Sequence, residues 1–301
     1  MGEVAQLDES LLTPVLRQAC ELAGVPSTVD SPAVLWLSEN AVVALTDVPV
    51  VAKIGREPAV AARAQLSLKV AGWLAEQGLP AVRPAAGIAP EVVVVDGHPV
   101  SFWEPLPEPV RPARAFDLGL LLRMLHALPA PPFQLPRRDL LANVPRWLAA
   151  GGAGISAADA AFLRSRAEEL TAAVACLTAQ LEPGVIHGDA LPRNVRVTER
   201  GPMLLDLETF ADDFREHDLT VLALARRRYG LDPDDYAAFT RSYGWDVTDW
   251  SGAELLMAAR ETASAAWVAQ RTPGNPTAQA EFATRVRGLR AGDTTALWHA
   301  F

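Results

Sequence analysis

Residues 185–208 read VIHGDALPRNVRVTERGPMLLDLE and carry most of the unusual polar residues of the helical region. This stretch interrupts a long series of helical patterns with short apolar runs that are typical of strands. Polar residues follow two of these runs directly: His187-Gly188-Asp189 after the first, and Asp206 after residues 203–205. Because side chains at strand ends are held by a rigid scaffold, we expect the chemistry of the protein to lie here.

The spacing of three of these residues predicts the kind of chemistry. Asp189 precedes Asn194 by five positions and Asp206 by seventeen. Phosphoryl transfer needs a carboxylate that orients the attacking hydroxyl and accepts its proton, and hard oxygen ligands that hold Mg²⁺ against the phosphates. Asp189 suits the first role, and Asn194 and Asp206 suit the second. The order and spacing are those of protein kinases, except that Gly188 stands where the kinase catalytic loop has an arginine.

The part of the chain before this stretch predicts a small antiparallel sheet. A helical pattern opens the chain over residues 12–22, and a second, over residues 58–77, ends before Gly78. Asp96-Gly97 is the signal of a tight hairpin. The apolar runs that predict strands are residues 34–37, 41–45, 50–54, 91–95 and 99–103.

Beyond the proline-rich segment 105–112 the patterns become helical. The predicted helices are residues 116–128, 140–148, 157–181, 219–229 and 252–270. We therefore predict an α+β protein with two lobes: residues 1–103 form a nucleotide-binding lobe, and residues 104–301 form a mainly helical lobe with the catalytic loop, the metal site and the acceptor pocket.

His187-Gly188-Asp189, together with Asn194 and Asp206, resembles the motif of the aminoglycoside phosphotransferase family. The kinase-like fold of that family also serves choline, homoserine and other small-molecule kinases. The resemblance covers nearly the whole chain and implies a two-lobed, protein-kinase-like α+β fold, with ATP or GTP and Mg²⁺ as cofactors. It assigns the role of catalytic base to Asp189 and the metal to Asn194 and Asp206.

The resemblance also implies a nucleotide site in the first lobe. Ser38 and Asn40 belong to a turn that covers the phosphates, and Lys53 lies on the strand that carries the phosphate-binding lysine. Three further residues form the segment between the lobes that faces the adenine: Trp103, Glu104 and Leu106. A lysine in this position acts as a point charge on the α and β phosphates.

Three residues have supporting roles in this interpretation. His187 is expected to be a buried, hydrogen-bonded support of the catalytic loop. Glu208 is either a second metal or solvent ligand or a structural carboxylate. Asp218 either caps the start of a helix or, as in the family, supports the catalytic loop.

One position departs from the family. Kinase-like folds pair the strand lysine with a glutamate on the following helix, and Ser67 stands at that position here. We expect either that Glu57 replaces the missing glutamate or that Lys53 is held by phosphate and Asp206 alone. The departure keeps a second class of function open, namely a nucleotide-binding pseudokinase without catalysis.

Composition narrows the range of partners. The net charge of −9 and the pI near 5.1 argue against a nucleic-acid surface, which needs clustered Lys and Arg. Cys20 and Cys176, both expected to be buried, are too few for a thiolate metal site. The sequence shows no pattern of a signal peptide or membrane span, so a cytoplasmic monomer or homodimer is expected.

The acceptor stays open between an aminoglycoside-like antibiotic, whose phosphorylation would give antibiotic resistance, and an amino-alcohol or sugar metabolite. An acidic protein suits a cationic acceptor. Carboxylates downstream of the catalytic stretch can line such a pocket or form a solvated face: Asp212, Asp213, Glu216, Asp232, Asp234, Asp235, Asp246, Asp249 and Glu261. A P-loop kinase and a dinucleotide-binding fold are both disfavoured, because neither glycine motif is present.

Overall fold

The computed structural model describes residues 9–37 and 40–300. Ser38, predicted to cover the phosphates, lies outside these residues. The strands are β1 (Ala33–Leu37), β2 (Asn40–Leu45), β3 (Val50–Gly55), β4 (Val93–Val95), β5 (His98–Trp103), β6 (Gly184–Ile186), β7 (Val195–Thr198), β8 (Gly201–Leu204) and β9 (Ala211–Asp213). The helices are α1 (Glu9–Ala23), α2 (Ala61–Glu76), α3 (Ala115–His126), α4 (Val144–Gly151), α5 (Ala157–Val174), α6 (Glu216–Arg228), α7 (Pro233–Tyr243), α8 (Ala253–Ala269) and α9 (Pro276–Ala291).

The five predicted N-terminal strands form one antiparallel sheet in the order β1-β2-β3-β5-β4. Alternation along β3 buries Ala52 and Ile54 in the core and leaves Lys53 half-exposed on the opposite face. The Asp96-Gly97 hairpin is confirmed: both residues have positive φ, 50° and 85°, as a two-residue turn with the twist of the strands requires.

Contacts divide the chain into two compact units. The first contains residues up to 113 together with 193–210, and the second contains residues 114–192 and 211–301. The β7–β8 hairpin belongs to the first unit because it bonds to it: the Leu204 N–H donates to the Pro80 carbonyl, and the Val110 N–H donates to the Val197 carbonyl, both at 2.9 Å. The functional division into lobes at residue 103 stays a prediction.

The second unit is built on helices whose apolar faces meet. α5 and α4 both pack against α8, and buried Leu163, Ala167 and Leu170 carry the α5 contact. The prediction that α5 continues to residue 181 was wrong. The Glu216 carboxylate accepts the N–H groups of Gln180 and Leu181 at 2.7 and 2.8 Å, so these groups do not continue a helical ladder. Cys176 lies beyond the helix and is exposed, contrary to the expectation of a buried thiol, whereas Cys20 is buried.

Two helices, α7 and α9, were not predicted. Each begins with a side-chain cap followed by proline: Asp232 accepts the Asp234 N–H, and Asn275 accepts the Ala278 N–H. Each ends before a glycine with positive φ. These cap signals are present in the sequence and mark both helices, although their apolar periodicity is weak. Within residues 9–37 and 40–300, no helix has the length and apolarity needed to cross a membrane.

Candidate active site

The first unit brings Lys53 together with the acidic residues that follow β8. Lys53 Nζ lies 2.5 Å from Glu208 Oε1 and 4.0 Å from Asp206 Oδ1. Lys53 and Glu208 are mostly covered, with side chains 26% and 21% exposed, whereas the Asp206 side chain is 44% exposed. One lysine therefore faces two carboxylates, and a substrate or ion can approach the more open of the two.

The partner of Lys53 is Glu208, which neither alternative raised by the sequence had named for this role. Ser67 is buried on α2, and its hydroxyl donates to the Arg63 carbonyl one turn earlier at 3.1 Å. Glu57, the other candidate, is exposed. α2 packs against the Leu207–Thr209 turn, so the carboxylate that reaches Lys53 comes from the turn instead of the helix. The sequence contains a signal for this pairing. Glu208 follows Asp206 by two residues, while Ser67 stands on α2 where kinase-like folds have a glutamate.

Asn194 and Asp206 flank the same end of the β7–β8 hairpin. Val195 pairs with Leu204, and the Leu205 N–H donates to the Asn194 carbonyl at 2.8 Å. Asp206 then takes a left-handed backbone, with φ 53° and ψ 72°, which is uncommon for residues other than glycine but which Asp and Asn adopt more readily than most. Uncommon backbone conformations often occur where a side chain must be aimed at a ligand.

The donors at this hairpin end fit Mg²⁺. Mg²⁺ prefers carboxylate and amide oxygens and keeps several waters or substrate phosphates in its shell. Asp206 and Asn194 supply one oxygen donor each. No three His, Cys, Asp or Glu side chains cluster as metal ligands within the described ranges. Water or phosphate oxygens would therefore have to complete the octahedral shell.

The remaining predicted nucleotide residues lie on or beside the five-stranded sheet. Asn40 begins β2 and pairs with Gly55 at the end of β3. Trp103 ends β5 and is buried, and its indole N–H donates to Ser101 Oγ at 2.8 Å. The Glu104 N–H donates to the Arg83 carbonyl at 2.9 Å, and Leu106 is half-buried. Their part in nucleotide binding stays a prediction.

In the second unit, Asp218 holds the backbone that leads into Asp189. Its carboxylate is fully buried and accepts the N–H groups of His187 at 2.7 Å and Gly188 at 2.8 Å. The third partner is His126 Nε2 at 3.2 Å. Burial opposes ionisation, but the hydrogen bonds and the charges of His126 and His187 outweigh it, so the pKa of Asp218 lies below its usual value. Arg215, not Asp218, occupies the N-cap of α6.

His187 and Gly188 shape the loop that presents Asp189. His187 is fully buried, and its Nδ1 accepts the Asp189 N–H at 3.3 Å. Gly188 has φ 83°, a left-handed conformation that favours glycine. Asp189 itself is half-buried. The loop is thus fixed by backbone bonds at all three positions.

Sequence reasoning missed a cluster of basic side chains near Asp189. Arg260, on α8, has Nε and Nη2 atoms that are buried and find no hydrogen-bond partner among the described residues. Burial and the charge of Arg138 lower its pKa to about 10, while Asp189 and Asp218 act in the opposite direction. Arg260 is the one arginine of α8 and belongs to no recognisable motif, so the sequence alone did not indicate it.

His217 belongs to the same cluster. It is buried, and its Nε2 lies 3.8 Å from Asp213 Oδ1. Burial lowers its pKa to about 4; Arg260 and Arg138 act in the same direction, and Asp213 opposes them. His217 is therefore neutral at pH 7.

Several carboxylates proposed for a cationic pocket serve the scaffold. Glu216 caps the 180–181 backbone, and Asp232 caps α7. Glu261 accepts from Arg228 Nε at 2.6 Å. Asp213 accepts the Arg138 N–H, and Asp246 accepts the Tyr236 hydroxyl. Asp234 and Asp235 are exposed on the first turn of α7.

Comparison with solved structures supports the kinase-like fold. An amicoumacin kinase, hAmiN, in complex with AMP-PNP, Ca²⁺ and Ami aligns with a TM-score of 0.71 at 14% identity, covering 97% of this chain and 96% of that one. A microcompartment-associated aminopropanol kinase aligns with a TM-score of 0.67 at 19% identity, covering 96% and 99%. An aminoglycoside phosphotransferase from Streptomyces rimosus aligns with a TM-score of 0.59 at 18% identity, covering 86% and 99%.

These alignments confirm the predicted α+β, protein-kinase-like fold class. A search of curated proteins finds no match. The profile described as "Phosphotransferase enzyme family" matches residues 34–256, a span that contains Lys53, Asp189, Asn194 and Asp206. The chain therefore belongs to the phosphotransferase enzyme family that includes the aminoglycoside phosphotransferases.

Proposed function

We propose that the protein transfers the γ-phosphoryl group of ATP or GTP to a hydroxyl of a small molecule, with Mg²⁺. The observation that carries the proposal is the approach of Lys53 to Asp206 and Glu208. The sequence predicts a phosphate lysine and a metal carboxylate about 150 positions apart, and the folded first unit brings their side chains together. A lysine next to metal-ligand carboxylates is what nucleotide phosphates and Mg²⁺ require.

Each residue has one role in this proposal. Lys53 binds the α and β phosphates and is positioned by Glu208. Asn194 and Asp206 would hold Mg²⁺, whose positive charge would offset the negative charge of the phosphates. Asp189 orients the acceptor hydroxyl and takes its proton as the acceptor oxygen bonds to the γ phosphorus and the bond to the leaving nucleoside diphosphate breaks. Asp218 and His187 position Asp189.

The hinge segment of Trp103, Glu104 and Leu106 faces the adenine in the proposal, and Asn40 lies beside the phosphates. The nucleotide-bearing amicoumacin kinase structure supports this assignment at the level of the fold. The Lys53–Glu208 pair supports an active kinase over a pseudokinase, because the lysine has a carboxylate partner despite Ser67. We expect the enzyme to act in the cytoplasm, where ATP and Mg²⁺ are abundant.

A coupled assay of nucleoside diphosphate release tests the proposal. Purified protein is given ATP or GTP with Mg²⁺ and a panel of aminoglycosides, amino alcohols, sugars and hydroxy acids. We expect at least one acceptor to give release that requires both acceptor and Mg²⁺. Nucleotide binding without release for any acceptor would instead support the pseudokinase.

A further inference from the structure

Arg260 presents an unused edge of its guanidinium close to the proposed catalytic base. Nε and Nη2 lie on the same side of the planar group, and together they form the fork that accepts a carboxylate or phosphate with two parallel hydrogen bonds. Both atoms are buried and have no hydrogen-bond partner among the described residues. A buried charged donor without a partner is costly, so a ligand that completes the fork would be favoured.

Arg228 and Arg285, the two arginines of the second unit whose whole side chains are buried, show what a structural arginine looks like in this fold. In Arg138 and Arg215 a single nitrogen, Nε, is buried and makes no hydrogen bond within the described residues, whereas Arg260 has two such nitrogens on one edge. Arg228 donates from Nε to Glu261 at 2.6 Å and from Nη1 and Nη2 to two carbonyl oxygens. Arg285 donates from Nε to Glu281 at 2.6 Å, and its other nitrogens are also bonded. Arg260 departs from this pattern on the edge that those two arginines use for a carboxylate.

The surroundings of Arg260 favour an anion. Asp189 and Asp218 influence its charge, but neither hydrogen-bonds to the open edge. Arg138 lies near enough to oppose its protonation and adds a second positive charge. Asp218 is already occupied by His126, His187 and Gly188. His217, the remaining basic side chain of the cluster, is neutral at pH 7.

We propose that Arg260 binds an anionic group of the acceptor, a carboxylate or a phosphate ester, while Asp189 receives the hydroxyl of the same molecule. The proposal rests on the proposed function and narrows it to hydroxylated anions or zwitterions. It also accounts for why Asp213, Glu216 and Glu261 serve the scaffold instead of lining a pocket for a cation.

Ligand pairs with and without an anionic group test this inference without any variant. The probes are 4-hydroxybutyrate against 4-hydroxybutyramide, L-homoserine against its amide, and glycerol 3-phosphate against glycerol. We expect at least one anion to raise the Tm of the nucleotide-free protein and to bind at least tenfold more tightly than its neutral partner. The first two pairs identify a carboxylate, and the third identifies a phosphate ester. Equal binding within every pair, or stronger binding of choline than of every anion, would overturn the proposal.

Variants assign the effect to the side chain. Arg260→Gln should abolish the preference for the anion, and Arg260→Lys should keep only a small part of it because it lacks the fork. Arg164→Gln, on the exposed face of α5, is the matched control and should retain it. If both Arg260 variants kept the full preference for the anionic ligand, Arg260 would not be the residue that binds the anion.

Stability distinguishes a binding arginine from a structural one. Arg260→Gln removes two buried donors that have no hydrogen-bond partner among the described residues, and it should leave the Tm of the ligand-free protein unchanged or raised. Arg228→Gln breaks a bonded pair and should lower it. A fall in Tm as large as that of Arg228→Gln would show a structural role and sink the proposal.

The Tm measurements contain no nucleotide, so they stand apart from catalysis. Anion binding without diphosphate release would refute the proposed function and leave the Arg260 site intact. Diphosphate release with neutral or cationic acceptors alone would support the proposed function and refute the Arg260 site.

Discussion

Lys53 Nζ is 2.5 Å from Glu208 Oε1, a partner supplied by the turn after Asp206 and not by helix α2. This relationship lets a kinase-like lysine be positioned although Ser67 stands on the helix. It also ties the lysine to the segment that carries Asp206, so that the predicted phosphate and metal residues are linked by one ion pair.

Glu208→Gln should raise the KM for the nucleotide more than the KM for the acceptor, because the neutral amide holds Lys53 less firmly. We expect the KM for ATP to rise about three- to tenfold, because the amide oxygen can still accept a hydrogen bond and only the charge of the partner is lost. Steady-state kinetics with each substrate varied in turn measures this. Glu57→Gln, at an exposed acid near α2, is the control and should behave as wild type. An unchanged KM for ATP in Glu208→Gln would refute the positioning role.

Asp206→Asn should shift the Mg²⁺ requirement. Asparagine tolerates the left-handed backbone of Asp206, so the change removes the charge without adding strain. We expect turnover to fall on the order of 100-fold and the Mg²⁺ concentration for half-maximal activity to rise. A Mg²⁺ titration of diphosphate release reads both. Glu199→Gln, in the exposed β7–β8 turn, is the control and should behave as wild type. If Asp206→Asn needed the same Mg²⁺ concentration as wild type, the metal assignment would be wrong.

Asp218→Asn should destabilise the fold as well as the reaction. The amide replaces a buried carboxylate that accepts from His126 and from two backbone groups. We expect the free energy of unfolding to fall by about 2–3 kcal/mol. Urea unfolding measures it, and exposed Asp235→Asn should change it by no more than about 0.5 kcal/mol. Equal stability of the two variants would show that Asp218 does not hold the loop.

His217 predicts how stability depends on pH. Its folded pKa of about 4 lies below the ordinary value of 6.5, so the unfolded chain binds more protons between these values. Stability should therefore fall as pH is lowered from 7 towards 4, with His217 contributing roughly 2 kcal/mol of the loss by pH 5. Urea unfolding at pH 7 and 5 should show a smaller loss for His217→Gln than for wild type. If His217→Gln lost as much stability between pH 7 and 5 as wild type, a group other than His217 would cause the pH dependence.

The sequence predicted those strands and turns that have a clear alternation of apolar residues or a characteristic turn dipeptide. The five N-terminal strands and the Asp96-Gly97 hairpin follow from alternation and from positive φ. α7 and α9 were missed because periodicity was weighed above caps, although both carry an Asx cap and a proline. The end of α5 depends on Glu216, a residue 35 positions beyond Leu181, and no local pattern contains that information.

The candidate site shows the same limit. Motif spacing predicted Asp189, Asn194 and Asp206 as site residues, and their roles stay predictions. The roles of Glu208 towards Lys53 and of Arg260 near Asp189 depend on tertiary packing, which brings together residues that no spacing rule connects. A missing helix glutamate signalled that Lys53 needed a partner but not which residue would supply it.

Transfer of labelled γ-phosphate by Asp189→Asn tests whether Asp189 is the catalytic base. The acceptor is the one that gives the fastest diphosphate release with wild-type protein, and nucleotide affinity is measured in parallel. We expect transfer to fall about 10²- to 10⁴-fold, the contribution of a general base, while the nucleotide Kd changes less than about twofold. Transfer at the wild-type rate would contradict this assignment, because the proton of the acceptor hydroxyl would then need another base.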